Sequence, residues 1–248
     1  MIFAIYSVMD DVFLSAPKTI IANWKMYGDP KSLAHWLGEI APTSYHVGLC
    51  LQSLLIPFAL HHPHPFVKIG AQDCHYCDEG AFTGYISPKL LAHMGVNYVL
   101  MGHSERRLFE TDEEIHKKAV AALRHHLIPI ICVGESLEIR ERGAHFDFVS
   151  SQIKTICTGL SGGYIVAYEP RFAIGTGRIP ILSDIEEMHA HIYQCLHACA
   201  HKASVPILYG GSVKPENAHL ILTTKHVSGL LVGGASLNSA EFNGILAA

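Results

Sequence analysis

Five apolar runs in this chain stop at a polar or glycine cluster. KTIIANWK ends in Asn23-Trp24-Lys25, YVLMGH in His103 and YIVAYE in Glu169. VPILYGG leads to Gly210-Gly211-Ser212, and VSGLLVGGA contains Gly233-Gly234. Taken singly, Lys25 reads as a surface lysine, His103 as a core imidazole, Glu169 as a solvated strand-end carboxylate and the glycines as turns. Five together describe a site. The carboxylate can take a proton from carbon, the ammonium can offset a developing oxyanion, and the imidazole can donate a hydrogen bond to the same oxygens. No Ser or Cys nucleophile in these clusters is paired with a base, and no metal-ligand spacing accompanies them. Proton abstraction beside a carbonyl is the reaction class left.

The surroundings refine each group. Pro170 holds Glu169 extended, so the strand runs up to the carboxylate and stops. A charge there must be desolvated or paired, and either shifts its pKa. Ser104-Glu105-Arg106-Arg107 after His103 reads as a short helical turn, whose N-terminus is expected to depress the imidazole and favour its neutral form. Glycine pairs let backbone N–H groups approach an anion closely, with Gly175 as a further amide and Ser212 as a hydroxyl. The implied ligand is phosphorylated.

The elements that must carry these groups alternate. Strand-like KTIIANWK, HVGLCLQ, VKIGAQD, YVLMGH, IPIICVGE, YIVAYE, VPILYGG and VSGLLVGGA are each followed by a helical stretch. TDEEIHKKAVAALRHH has a 3.6-residue period through Ile115, Ala119 and Ala122. Ser183 or Asp184 is expected to cap the helix after the sixth strand, and Pro215 to start the one after the seventh. Eight such units imply a (β/α)8 TIM barrel, whose chemistry gathers at the C-terminal strand ends and whose phosphate sites lie after strands seven and eight. A doubly wound sheet is disfavoured, because no G-x-G-x-x-G follows the first strand. No linker breaks the chain, which reads as an N-terminal extension (1–16) and one catalytic domain (17–248).

The bulk composition suits that reading. Of 248 residues 49% are hydrophobic and 16% charged, enough for a large core. A net charge of −4 argues against nucleic acid, and no apolar stretch approaches a bilayer span. Seven cysteines fit a reduced, cytoplasmic setting rather than a disulfide framework. Cys74-His75-Tyr76-Cys77 lacks the second pair that structural zinc needs, so no metal is expected there, and most of the histidines are read as solvent-facing helix or loop residues. The start, MIFAIYSVMDDVFLSAP, has no basic region and is interrupted by Asp10-Asp11. It is read as an extension, or as an upstream start with Met9 as the rival.

ANWKM (22–26), GAFTG (80–84), GHSERR (102–107), AYEP (167–170), AIGTG (173–177), YGGSV (209–213) and LVGGASL (231–237) together resemble the triosephosphate isomerase family, in the family's order from about Lys18 onward. The resemblance implies interconversion of dihydroxyacetone phosphate and D-glyceraldehyde 3-phosphate through an enediol(ate), in glycolysis and gluconeogenesis, without a cofactor. Carried over, Glu169 is the base and His103 the electrophile. Asn23 and Lys25 bind and polarise the substrate, and Gly175, Ser212, Gly233 and Gly234 hold its phosphate. Ile174 and Leu231 would press on Glu169. Pro170, Arg171, Phe172, Ala173, Ile174, Gly175 and Thr176 would form a lid, with Gly177 at its far hinge.

Three residues depart from the family pattern. Phe172 stands where a Trp is usual, Arg171 where a small apolar residue is, and Tyr85 where Glu is. LFETDEE after Arg107 is shorter than usual, with Glu110 in its place. The long loop from Cys74 to Ser87 is expected to serve a homodimer, Thr83 reaching a second copy. Residues before Pro17 are expected to contribute little. The alternatives are a Schiff-base aldolase using Lys25 and a phosphate-binding protein without catalysis. The partner expected is a small triose phosphate, with neither nucleic acid nor membrane.

Overall fold

The computed structural model describes residues 17–62, 64–173, 181–200 and 205–248. Eight strands follow in chain order: β1 Thr19–Asn23, β2 His46–Leu51, β3 Val67–Ala71, β4 Tyr98–Met101, β5 Ile128–Val133, β6 Ile165–Tyr168, β7 Ile207–Tyr209 and β8 Gly229–Val232. Each pairs in parallel with the next, and β8 returns to β1, closing the barrel. Nearly every strand residue is buried, as the unbroken apolar runs require, and the two-residue repeat sorts side chains between two cores. Ile21, Cys50, Tyr98, Leu100, Ile130, Cys132, Ile165, Ala167, Leu208 and Leu231 form one, the barrel interior. The larger one lies between strands and helices. Each fully buried Leu, Ile or Phe in either contributes roughly 1.5–3 kcal/mol.

The helices are started by local chemistry. Asp29 caps Pro30–Glu39 by accepting from the Lys31 and Ser32 amides, and Ser32 returns a bond to Asp29. Thr111 and Glu114 do the same for Asp112–Arg124. Pro215 opens Pro215–Thr223 as expected. The helix after the sixth strand runs from Leu182 to Ala200, so Ser183 and Asp184 lie inside its first turn and neither is its cap. Asp184 is engaged instead with Arg140. One helix was not anticipated: Leu137–Glu141, capped by Ser136, follows β5 and sets its Arg140 over the Phe172 ring. It is too short for periodicity to announce it.

Candidate active site

The C-terminal strand ends enclose a cavity of about 280 Å³. Asn23, Lys25, His103, Glu169, Ser212, Leu231, Gly233 and Gly234 all line it. The chain thus brings together residues from β1, β4, β6, β7 and β8 that lie up to 211 positions apart. Of the expected lid, Pro170 to Ala173 are described, with Arg171–Ala173 in a single 3-10 turn. Ile174, Gly175 and Thr176, and the hinge at Gly177, lie outside the described residues.

Glu169 is one residue beyond β6 and only 3% exposed. Its amide donates to the Val133 carbonyl at 2.7 Å, and the Gly210 amide donates to the Tyr168 carbonyl at 2.8 Å. The neighbouring strands therefore fix the backbone that presents the carboxylate. Two glycines make room for it. Gly134 has φ +159°, and a Cβ there would sit 1.9 Å from the Glu169 carbonyl oxygen; at Gly210 it would sit 3.0 Å from the Glu169 side chain. The carboxylate accepts from the Ser104 amide at 2.8 Å and meets His103 Nε2 at 3.0 Å. The Cys132 thiol lies against it from the barrel interior, pushed well up by burial first and then by the Glu169 charge.

His103 is buried, and the Glu105 amide donates to its Nδ1 at 3.3 Å. A backbone N–H can only donate, so Nδ1 accepts and the neutral ring carries its proton on Nε2, facing Glu169. The expected depression of this imidazole is corrected by the geometry. Burial pulls its pKa down, but the adjoining Glu169 charge and hydrogen bond push it up, and the net shift is upward. The turn after it is braced from below. Arg107 donates to the carbonyls of Gly102 and Cys132 at 2.8 and 2.6 Å, and Arg106 reaches Asp73 at 2.8 Å.

Lys25 has φ 51°, costly for a residue with a side chain by roughly 1 kcal/mol. Asn23 holds it there: its side-chain oxygen accepts from the Lys25 amide at 3.1 Å. Gln72 adds support, its amide nitrogen lying 2.8 Å from the Lys25 carbonyl oxygen and 3.3 Å from Asn23 Oδ1. The ammonium pairs with Glu105 at 2.6 Å. On the far side, Ser212 donates to the Ala173 carbonyl at 2.7 Å, tying the β7 end to the turn after Glu169. Gly233 precedes the 3-10 turn Gly234–Leu237, and its carbonyl accepts from the Ser236 amide and hydroxyl.

The sequence reading missed Gln72, Glu105 as the partner of Lys25, and Cys132. Gln72 had a usable signal, since it too is a polar residue ending an apolar run. Cys132 had none, being an apolar-like residue inside such a run. Chemically, the cavity offers a carboxylate, an imidazole N–H and an ammonium at one end and hydroxyl and glycine amides at the other.

The triosephosphate isomerase family model matches residues 18–248. The chain is 44% identical over 243 residues to the triosephosphate isomerase of Jannaschia sp. (strain CCS1), covering 94% of this chain and 98% of that protein. It is 42% identical over 239 residues to the triosephosphate isomerase of Lacticaseibacillus casei (strain BL23), covering 90% and 95%.

Proposed function

The chain belongs to the triosephosphate isomerase family, and on that premise we propose which of its residues perform the isomerisation. The chain is an isomerase that interconverts dihydroxyacetone phosphate and D-glyceraldehyde 3-phosphate, a step of glycolysis and gluconeogenesis. Glu169 removes the proton from the carbon beside the carbonyl, and the enediolate forms. His103 donates through Nε2 to the substrate oxygens and moves a proton between them. Lys25 and Asn23 hold and polarise that end. Ser212, Gly233, Gly234 and Gly175 hold the phosphate. A carboxylate base with a neutral imidazole is the division of labour for which this family of enzymes is known.

The observation that carries the reading is the pairing of Glu169 with His103 at 3.0 Å, inside a cavity that ends in Ser212 and two glycines. Substrate entering between them removes the carboxylate from the ring, leaving burial and the Glu105 amide to favour the neutral imidazole. Pro170 to Thr176 then act as the lid that keeps water from the enediolate. A coupled isomerase assay tests the reading: turnover of dihydroxyacetone phosphate supports it, and inert protein sinks it. The aldolase alternative loses ground because the Lys25 ammonium is engaged by Glu105. Borohydride trapping of a substrate adduct would restore it.

The working unit is a homodimer. Met26, Leu54, Leu108 and Phe109 are 78–87% exposed. A second hollow of about 270 Å³ beside Asn23, Lys25 and His103 is lined by Met26, Gln52, Gln72 and Glu105. A second copy's 74–87 loop, with its Thr83, suits that hollow, and light scattering that finds an active monomer would exclude it. Seven free thiols suit the reducing cytoplasm. Among the described residues no helix is long and apolar enough to cross a membrane.

A further inference from the structure

We infer that Arg140 is a positioning residue for Glu169, which it serves through Glu135 and Phe172 without entering the cavity; this rests on the reading of Glu169 as the base. Glu135 follows β5 and is fully buried. Its Oε1 accepts from the Tyr168 hydroxyl at 3.0 Å, and its backbone carbonyl accepts from the Arg171 amide at 3.1 Å. The residue before Glu169 and the second residue after it are therefore both fastened to Glu135. The carboxylate is held from both sides by one neighbour.

A fully buried carboxylate is stable in that place only with a charge partner. Among the described residues the cation on Glu135 is Arg140, Nη1 to Oε1 at 3.1 Å. The second guanidinium nitrogen, Nη2, meets Asp184 at 3.0 Å, in the first turn of the helix that resumes after the lid. The same guanidinium lies over the Phe172 ring, its central carbon 5.2 Å from the ring centre, three residues past Glu169. One planar fork thus meets β5, the chain after β6 and the next helix. Lysine carries the charge but has no plane and no second nitrogen. The chain is also unusual here, having Phe172 where an indole is usual, so a cation on the ring face is how this protein seats that position.

Removing Arg140 leaves the Glu135 charge buried and unpaired, and the Tyr168 and Arg171 fastenings shift with it. A displacement of the base alters the chemical step more than it alters phosphate binding. Steady-state kinetics of the full chain test this with Arg140→Met, Arg140→Lys, Phe172→Leu and the Arg140→Met/Phe172→Leu double variant, each checked for folding by thermal denaturation. Arg140→Met is expected to lower kcat about tenfold with KM within about twofold, since a base displaced by a fraction of an ångström loses rate rather than ground-state binding. Arg140→Lys should recover part of the loss. The double variant should lose less than the product of the single losses, because both act through one contact.

Wild-type kcat in folded Arg140→Met would overturn the inference. So would full recovery by lysine together with losses that multiply. Should Arg140→Met not fold, Arg140→Lys decides: wild-type kcat there overturns the inference, and a lowered kcat at unchanged KM upholds it. Undiminished activity in Glu169→Gln would be a different failure, that of the base assignment itself.

Discussion

The two ends of the barrel use the same strands and both place polar side chains inward, yet they are built on opposite terms. At the mouth, Asn23, His103 and Glu169 are buried and bonded to one another's neighbourhood, and each shifts or fixes the next. At the floor, Thr19, His46 and Lys68 line a hollow of about 330 Å³ with Tyr98 and Tyr164. His46 and Lys68 are exposed there, and their side chains make no hydrogen bond or ion pair among the described residues. Water solvates His46 and Lys68. The protein solvates the mouth groups, and that substitution is what can tune an acid or a base. Polarity inside a barrel is not itself a site; burial with chosen partners is.

The contrast is broken most severely at its strongest point. Glu169→Gln keeps the shape and the Ser104 contact but removes the proposed base, and should lower kcat by about 10³-fold or more, within the range general bases supply. His103→Gln retains a donor without the proton relay, and should lower kcat by about 10²-fold. Both are read from initial rates in the coupled assay. If either variant turned over at the wild-type rate, the mouth would be no different in kind from the floor.

A buried imidazole away from both ends sharpens the comparison. His189 is fully buried, its Nδ1 3.2 Å from the His226 carbonyl oxygen, and burial pushes it down to about 4. The unfolded chain, with an ordinary value near 6.5, takes up a proton that the fold refuses. His189 therefore costs stability as pH falls from about 6.5 to 4, by up to about 3 kcal/mol. His103 has the opposite sign: its folded value is raised, so its contribution is present below the unfolded value and lost as pH rises through the folded one. Urea midpoints against pH should show acid destabilisation in the wild type and a flatter profile in His189→Leu. Equal slopes would mean that other groups govern the acid limb.

The smallest effects belong to the floor. Lys68→Met and His46→Ala should change stability by no more than about 0.5 kcal/mol, as at other solvated surface positions. Their kcat should match the wild type. A tenfold loss of activity from either would erase the distinction drawn between the two ends.

How much of this was legible in the sequence depends on how local the cause is. Apolar runs announce strands buried on both faces, and a charged or glycine residue stopping such a run announces a strand end with something to do. Asn23, Lys25, His103, Glu169, Ser212 and Gly233 were singled out in that way, and the fold lines one cavity with them. The capping boxes at Asp29 and Thr111 and the proline at 215 are equally local. The supports were legible at most as polar run ends, as Gln72 is; what each one holds was not, because each is a contact across the chain. Cys132 touches Glu169 from 37 positions away, and Gln72 reaches Asn23 across 49. Glu135 ends the strand-like run IPIICVGE and Arg140 follows five residues later, and nothing local announces that the fold lays them against Tyr168 and Phe172. The direction of the His103 shift failed for the same reason: the turn beside it was visible, the carboxylate 66 positions later was not placed against it.

The central claim is that the carboxylate ending β6 moves a proton on carbon. Incubating the full chain with dihydroxyacetone phosphate in heavy water, and following carbon-bound deuterium by nuclear magnetic resonance, tests it most directly. The account predicts deuterium at carbon 2 of the glyceraldehyde 3-phosphate formed by the wild type, and almost none formed by Glu169→Gln at equal enzyme. Isomerisation and deuterium uptake persisting undiminished in Glu169→Gln would contradict it.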